Sequence, residues 1–261
     1  MPKIENIGQF IDTNILFDII YKERTRHKKS IDFYRQFKNL EISVEIKVRA
    51  EANQVILKYI NNFTSDLNNF LFTKDKHSTK WDLLTPLERI KRLDKFLDDY
   101  KKNKNKEEYF PFYNEMIMTL KNEIIDSTLY EIKEALIELP ISHLQFFKVK
   151  IDSYFNFISP AFDVENNTIV LFNEKLKTKF KNKYFLNNQS FDMEIVINIF
   201  NLIILGSDSD IKFDFINFYT NDNKFITNYK NIKLNPPDLE ETELNNLLSD
   251  KINLIKFINP Y

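Results

Sequence analysis

Two apolar runs far apart in the chain, Gln9-Phe10-Ile11 and Phe215-Ile216-Asn217-Phe218-Tyr219, each pass directly into a short polar segment that carries an acid. The first enters Asp12-Thr13-Asn14 and the second Thr220-Asn221-Asp222. A buried strand that ends this way puts its acid at the carboxyl edge of a sheet, where open α/β folds build their sites. Taken singly, Asp12 reads equally well as a helix cap, since Asp, Thr and Asn are ordinary capping residues. The functional reading therefore depends on whether other acids share the same edge.

Two more segments supply them. The alternating run Leu40-Glu41-Ile42-Ser43-Val44 reads as a strand and is followed by a helical stretch, Val48 to Val55, that carries Glu51. Ser190-Phe191-Asp192 reads as a capped helix start, with Ser190 as N-cap and Asp192 in the first turn. Ile195, Val196, Ile199, Phe200 and Ile203 then follow at the spacing of a buried helical face that stops at Gly206. Two strands thus end in acids, and two helices carry acids near their starts.

In these elements and their order the chain resembles the PIN-domain ribonuclease family. The resemblance rests on the strand into Asp12-Thr13-Asn14, the Ser43 strand followed by Glu51, the helix opened by Asp192, and the strand into Thr220-Asn221-Asp222 followed by Phe225. It covers roughly residues 4–56 and 186–235. It implies a three-layer α/β/α fold with a mainly parallel central sheet and a metal-dependent endoribonuclease acting on single-stranded or structured RNA. Asp12, Glu51, Asp192 and Asp222 would then hold Mg²⁺ or Mn²⁺, while Asn14 and Thr220 would orient ligands or water. Ser43 lies far ahead of Glu51, which leaves Glu45 as a rival second acid, and the turn Ser207-Asp208-Ser209-Asp210 offers Asp208 or Asp210 in place of Asp222.

The chemistry agrees with the resemblance. Carboxylates crowded into one cleft repel one another and take up protons unless a counter-charge relieves them. Hard oxygen donors favour Mg²⁺ or Mn²⁺ over zinc, and a chain with Cys 0 offers no thiolate ligand. The structural readings stand beside this one: Asp192 complementing a helix dipole, Asp222 starting a turn, Glu51 on a solvated helix face. A PIN-like module without catalysis, binding nucleic acid or protein, is the alternative function, and a helical scaffold the third.

The intervening stretch, about 57–185, reads as a helical insertion between the two parts of the core, 1–56 and 186–235, with 236–261 as a C-terminal extension. Thr85-Pro86-Leu87-Glu88 is a capping box, followed by Leu87, Ile90, Leu93 and Leu97 at helical spacing. A second helix is expected to end before Pro140 and another to cover Leu144 to Ile158. Phe146, Phe147, Tyr154 and Phe157 are assigned to the core, and His27, His77 and His143 to the surface.

A net charge of −1 gives no general affinity for polyanions, so an RNA grip has to come from local clusters. Arg24, Arg26, Lys28 and Lys29, just past the Asp12 helix, are the leading candidates, with the lysines at 101–106 and 175–183 behind them. The polar opening residues argue against a secretory signal, and the longest apolar stretch, Ile195 to Leu205, is too short to span a bilayer. A cytoplasmic protein without a membrane partner is expected, and a homodimer or a regulatory protein partner is left open.

Overall fold

The computed structural model describes residues 5–37, 41–72, 80–102, 110–161, 166–181, 183–185 and 189–261. His77 and the lysines at 103–106 lie outside them. Five parallel strands form one sheet: β1 (Ile7–Ile11), β2 (Ile42–Glu45), β3 (Asn156–Ile158), β4 (Phe215–Tyr219) and β5 (Ile255–Ile258). Their order is β3-β2-β1-β4-β5. Ten α-helices accompany them among the described residues, consistent with a three-layer α/β/α arrangement.

The strand order explains where a site belongs. From β1 the chain steps outward to β2 and β3 on one side, and later returns to add β4 and β5 on the other. The direction of winding reverses between β1 and β4, and at such a switch point loops leave the sheet in opposite directions and open a crevice at the carboxyl ends. Asp12 follows β1 directly, and Asp222 follows β4 after Thr220 and Asn221. β1 and β4 pair along their full lengths, from Ile7 with Phe215 to Ile11 with Tyr219, so the register brings the two polar segments side by side.

The chain divides into two compact units. The sheet unit comprises residues 1–20, 26–52 and 154–261, and the helical unit residues 21–25 and 53–153. The helical part begins within a few residues of the expected position but ends at 153 instead of 185. Asn156–Ile158 is an edge strand paired with β2, and helix α7 (Asn167–Phe180) buries Phe172 and Leu176 within the sheet unit. The stretch 236–261 likewise supplies helix α10 (Thr242–Ile252) and strand β5.

In the sheet unit, α1 (Thr13–Ile20) is buried along nearly all its length, as befits a helix that leaves the sheet at its centre. Helix α2 (His27–Gln36) follows, and α3 (Ile46–Phe72) starts directly after β2. Helix α8 (Ser190–Leu205) buries Ile195, Val196, Ile199, Phe200 and Ile203, as their spacing predicted. Its N-cap is Gln189 and not Ser190, without a side-chain cap hydrogen bond; the Gln189 amide donates to Asp192 Oδ2 at 3.2 Å. Gly206 ends the helix at φ 86°, where an added Cβ would lie 2.7 Å from the Ile211 carbonyl oxygen. Helix α9 (Asn223–Leu234) buries Phe225 against Phe218 and Phe257.

The helical unit departs from expectation at several points. Helix α4 (Pro86–Lys102) does open with the Thr85–Glu88 capping box, but it buries Leu93, Phe96 and Tyr100 and leaves Leu87 exposed. The stretch expected to stop before Pro140 breaks earlier: α5 (Phe110–Asp126) ends, and α6 (Leu129–Asp152) runs through Pro140 without interruption. A second capping box, Thr128 with Glu131, starts α6. The apolar face Ile132, Leu136, Leu139, Phe147 and Ile151 continues past the proline, and its burial offsets the loss of one N–H donor. His143 sits on that face and is buried. Phe147 is fully buried and Phe146 is exposed, since neighbouring helical positions point about 100° apart; Tyr154, in the turn after α6, is also exposed, and Phe157 on β3 is half-buried.

Candidate active site at the carboxyl edge of the sheet

Asp12 is the centre of the site. Only 5% exposed, it accepts the Thr13 N–H at Oδ1 (2.7 Å) and the Thr220 hydroxyl at Oδ2 (2.7 Å). Both donors come from the polar segments that follow β1 and β4, so the strand register itself aims the carboxylate. Burial pushes the Asp12 carboxyl up to about 6, the charge of Asp222 adds to this, and the Thr220, Thr13 and Asn14 hydrogen bonds pull against it. Asn14 and Thr220, named from sequence as orienting residues, both touch Asp12.

Glu51 reaches the same place from α3. Its Oε2 accepts the Thr13 hydroxyl in a short hydrogen bond, so Thr13 bridges Asp12 and Glu51. Glu51 is pushed up to about 7 by burial first, then by the charge of Asp12, with Asp192 and Asp222 adding to it. Asp192, in the first turn of α8, is raised to about 6 by burial, then by Asp12 and Asp222, while Gln189 and Lys224 lower it. Asp222 caps α9, its Oδ1 accepting the N–H groups of Lys224 (2.8 Å) and Phe225 (3.2 Å), and its own N–H donates to Thr220 Oγ1 at 3.0 Å. The capping role foreseen as a structural reading of Asp222 is thus present together with its electrostatic reach to the other acids.

The rival acids lie elsewhere. Glu45, the last residue of β2, is completely buried; its Oε1 accepts from Asn198 Nδ2 (2.7 Å) and its Oε2 from the Lys47 N–H (2.8 Å). Burial raises it to about 7, and none of the four other acids figures among the causes. Its geometry fixes the turn from β2 into α3 and ties it to α8. Asp208 accepts the Ser159 hydroxyl at 2.6 Å, and Asp210 occupies a left-handed turn at φ 59°.

Each of the four acids is engaged by its own neighbours: hydroxyls, backbone N–H groups or the Gln189 amide. Among the described residues, no three Asp, Glu, His or Cys side chains close to the spacing of a ligated metal ion. The four form an electrostatic cluster whose members feel one another, supported by Thr13, Thr220 and Gln189.

The cationic candidates separate. Lys28 and Lys29 are exposed on the first turn of α2, and exposed Arg26 sits 5.8 Å from the Tyr261 ring centroid. The start of α2 is tied to the site edge through His27, whose Nδ1 lies 2.8 Å from the Asp18 carbonyl, and through Asp18 Oδ2, which accepts from Asn221 Nδ2 at 3.3 Å. Arg24 belongs to the segment 21–25 of the helical unit. Lys175 and Lys179 both pair with Glu240, at 2.7 and 2.6 Å, which neutralises part of the third lysine cluster.

Sequence reasoning missed Thr13 as a bridge, Gln189 as the support of Asp192, and Lys224 as a cation acting on Asp192. Thr13 carried a signal, since it immediately follows the strand-end acid. Gln189 lies three residues before Asp192, a local spacing, whereas Lys224 reaches Asp192 only through the tertiary fold. Among the described residues, no helix is long and apolar enough to cross a membrane. No protein-family model, curated protein or solved structure matches the chain.

Proposed function

We propose that this chain is a PIN-like, metal-dependent endoribonuclease working at Asp12, Glu51, Asp192 and Asp222. One observation carries the reading: Asp12, Glu51 and Asp192, from distant parts of the chain, are each raised first by burial and then by one another's charge or that of Asp222, beside the switch point of a parallel sheet. A fold that merely caps its helices has no need to gather like charges in a semi-buried edge, and perturbed carboxylates in a cleft mark functional sites.

The donor chemistry suits Mg²⁺ or Mn²⁺: carboxylate oxygens, no thiolate, and an excess of negative charge that calls for a cation. Asp12, Glu51, Asp192 and Asp222 would hold the ion directly or through water. When bound, such an ion lowers the pKa of a coordinated water and stabilises charge on phosphate oxygens. The chain's own groups do the positioning. Thr220 and the Thr13 N–H fix Asp12, the Thr13 hydroxyl fixes Glu51, and Gln189 steadies Asp192. RNA phosphates would meet Arg26, Lys28 and Lys29 at the start of α2, with Arg24 nearby in sequence and Lys224 beside Asp192.

The second reading, a PIN-like interaction module without catalysis, draws on the spacing of the acids and on the engagement of Asp222 Oδ1 by the α9 cap. Incubating the purified chain with RNA and single-stranded DNA, with Mn²⁺, with Mg²⁺ and with chelator, separates the two. The nuclease reading expects RNA cleavage that needs the metal, disappears in Asp12→Asn and persists in Asp210→Asn. RNA left intact under every metal condition sinks it in favour of the module. Arg26→Ala with Lys29→Ala is expected to weaken RNA binding and flatten its salt dependence by about 0.7 in log–log slope per lost phosphate contact.

A further inference from the structure

Residues 259–261 connect the acid-bearing edge of the sheet to the cationic start of α2. They leave the carboxyl end of β5, where the Ile258 carbonyl accepts the Thr220 N–H at 3.0 Å, and so emerge beside the polar segment that carries Asp222. Asn259 Nδ2 donates to Asn223 Oδ1 at 3.4 Å, and Asn259 Oδ1 accepts the Tyr261 N–H at 3.0 Å. From there the segment reaches α2. The Tyr261 hydroxyl shares a hydrogen bond with the hydroxyl of fully buried Ser30, and the Arg26 guanidinium carbon lies 5.8 Å from the centre of the Tyr261 ring.

A surface tyrosine ordinarily moves among its rotamers, and a ligand that ordered it would lose affinity to that entropy. Tyr261 is held at its hydroxyl, its backbone N–H and beside its ring, yet it remains 38% exposed. Exposed Arg26 is followed on α2 by exposed Lys28 and Lys29, and residues 26–31 contain no acid. An aromatic surface fixed beside cations suits a single-stranded nucleic acid, whose phosphates follow the cations while an unpaired base lies on the ring. An acidic peptide would engage the cations and leave the ring unused. A base within a duplex is already stacked on its neighbours and has no face to offer.

We infer that Tyr261 is a stacking platform for an unpaired RNA base on the approach to the acid site, with the flanking phosphates on Arg26, Lys28 and Lys29. The choice of RNA rests on the nuclease reading. The inference adds the substrate class: RNA that is single-stranded where it crosses residues 259–261.

Binding of a labelled single-stranded RNA, followed by fluorescence anisotropy in chelator over a range of salt concentrations, tests this without cleavage. Tyr261→Ala is expected to weaken binding about tenfold, in keeping with the loss of one stacked base. The salt slope is expected to stay as in wild type, because no phosphate contact is removed. Tyr261→Phe keeps the ring and is expected to bind close to wild type, and affinity for a duplex RNA of the same length is expected to be the same in all three. Wild-type affinity in Tyr261→Ala overturns the inference, as does an equal loss on the duplex. A flattened salt slope in Tyr261→Ala would show that the residue acts only by placing Arg26, and a loss in Tyr261→Phe as large as in Tyr261→Ala that only the Ser30 bond matters; either result overturns the platform. Cleavage of the same RNA by the wild-type chain with Mn²⁺ is scored separately. Cleavage together with ring-independent binding sinks the platform alone, whereas ring-dependent binding without cleavage sinks the nuclease alone.

Discussion

The sheet unit and the helical unit bury different things. Among the described residues, the buried polar side chains of the sheet unit include Gln9, Asp12, Thr13, Asp18, Ser43, Glu45, Gln189 and Thr220, whereas His143 alone is buried in the helical unit. Both units interlock aromatic rings, Phe218, Phe225, Tyr229 and Phe257 in the sheet unit, but in the helical unit rings stand with almost no buried polar groups beside them: Phe63 with Phe96 and Tyr113, Tyr100 with Phe96 and Tyr113, and Tyr59 with Phe112. Buried polar groups cost free energy unless each finds a partner, and buried carboxylates cost more. A unit that accepts this cost along one sheet edge is organised around a site. A unit that fills its interior with rings is organised for packing.

The contrast is tested most severely by truncating a ring of the helical unit. Phe63 is completely buried, and Phe63→Ala is expected to remove about 3–5 kcal/mol. Urea unfolding measures the loss, and a change under about 1 kcal/mol would show that the aromatic core is not what stabilises this unit.

A smaller, pH-dependent effect belongs to the sheet unit. The ordinary values of Asp12, Glu51 and Asp192, 3.8, 4.5 and 3.8, rise to about 6, 7 and 6 in the folded chain. Between about pH 4 and pH 7 the folded chain therefore binds more protons than the unfolded one, so these groups make stability fall as pH rises through that window. The metal-free Tm is expected to drop across it, and Asp12→Asn to flatten the drop and raise Tm above pH 7. Asn preserves an oxygen for the Thr13 N–H, and the Thr220 hydroxyl accepts from its amide by rotating. A profile identical in wild type and Asp12→Asn would mean that the acids do not act on one another. Added Mn²⁺ is expected to raise the wild-type Tm most at the alkaline end, where the carboxylates are fully charged.

The smallest expected effect concerns the start of α6. Thr128→Ala removes a capping box and is expected to cost about 1 kcal/mol. Thr85→Ala at the start of α4 is expected to match it, because both boxes rest on the same exposed Thr–Glu geometry. A loss confined to one of them would show that tertiary contacts, and not the caps, hold the other helix start.

Much of the sheet unit was legible because its signals are local. An apolar run has to be buried, and a polar segment directly behind it has to stand at the edge, so the β1 and β4 ends announced Asp12, Thr220 and Asp222 before any packing was known. The face of α8 and its stop at Gly206 followed equally from spacing and from the one residue type that tolerates that backbone. In the helical unit the same rules conflicted. Pro140 looked like a terminus and Thr128-x-x-Glu131 passed unnoticed, yet the cap started a helix and the proline failed to stop one.

The order of the apolar strands and the acids behind them was fixed by the chain alone, since burial and alternation act over a few residues. Which acids meet was decided by tertiary structure. Glu45 ends β2 and Glu51 follows in the opening turns of α3, and local pattern does not choose between them. The turn that buries Glu45 against Asn198 sends α3 away so that Glu51 returns to Thr13 and Asp12. Likewise β3 falls in the stretch Leu144 to Ile158 expected to be helical, and β5 in the expected C-terminal extension, and only pairing with β2 and β4 makes them strands. Strand pairing and like-charge proximity depend on residues far apart along the chain, and no local pattern carries that information.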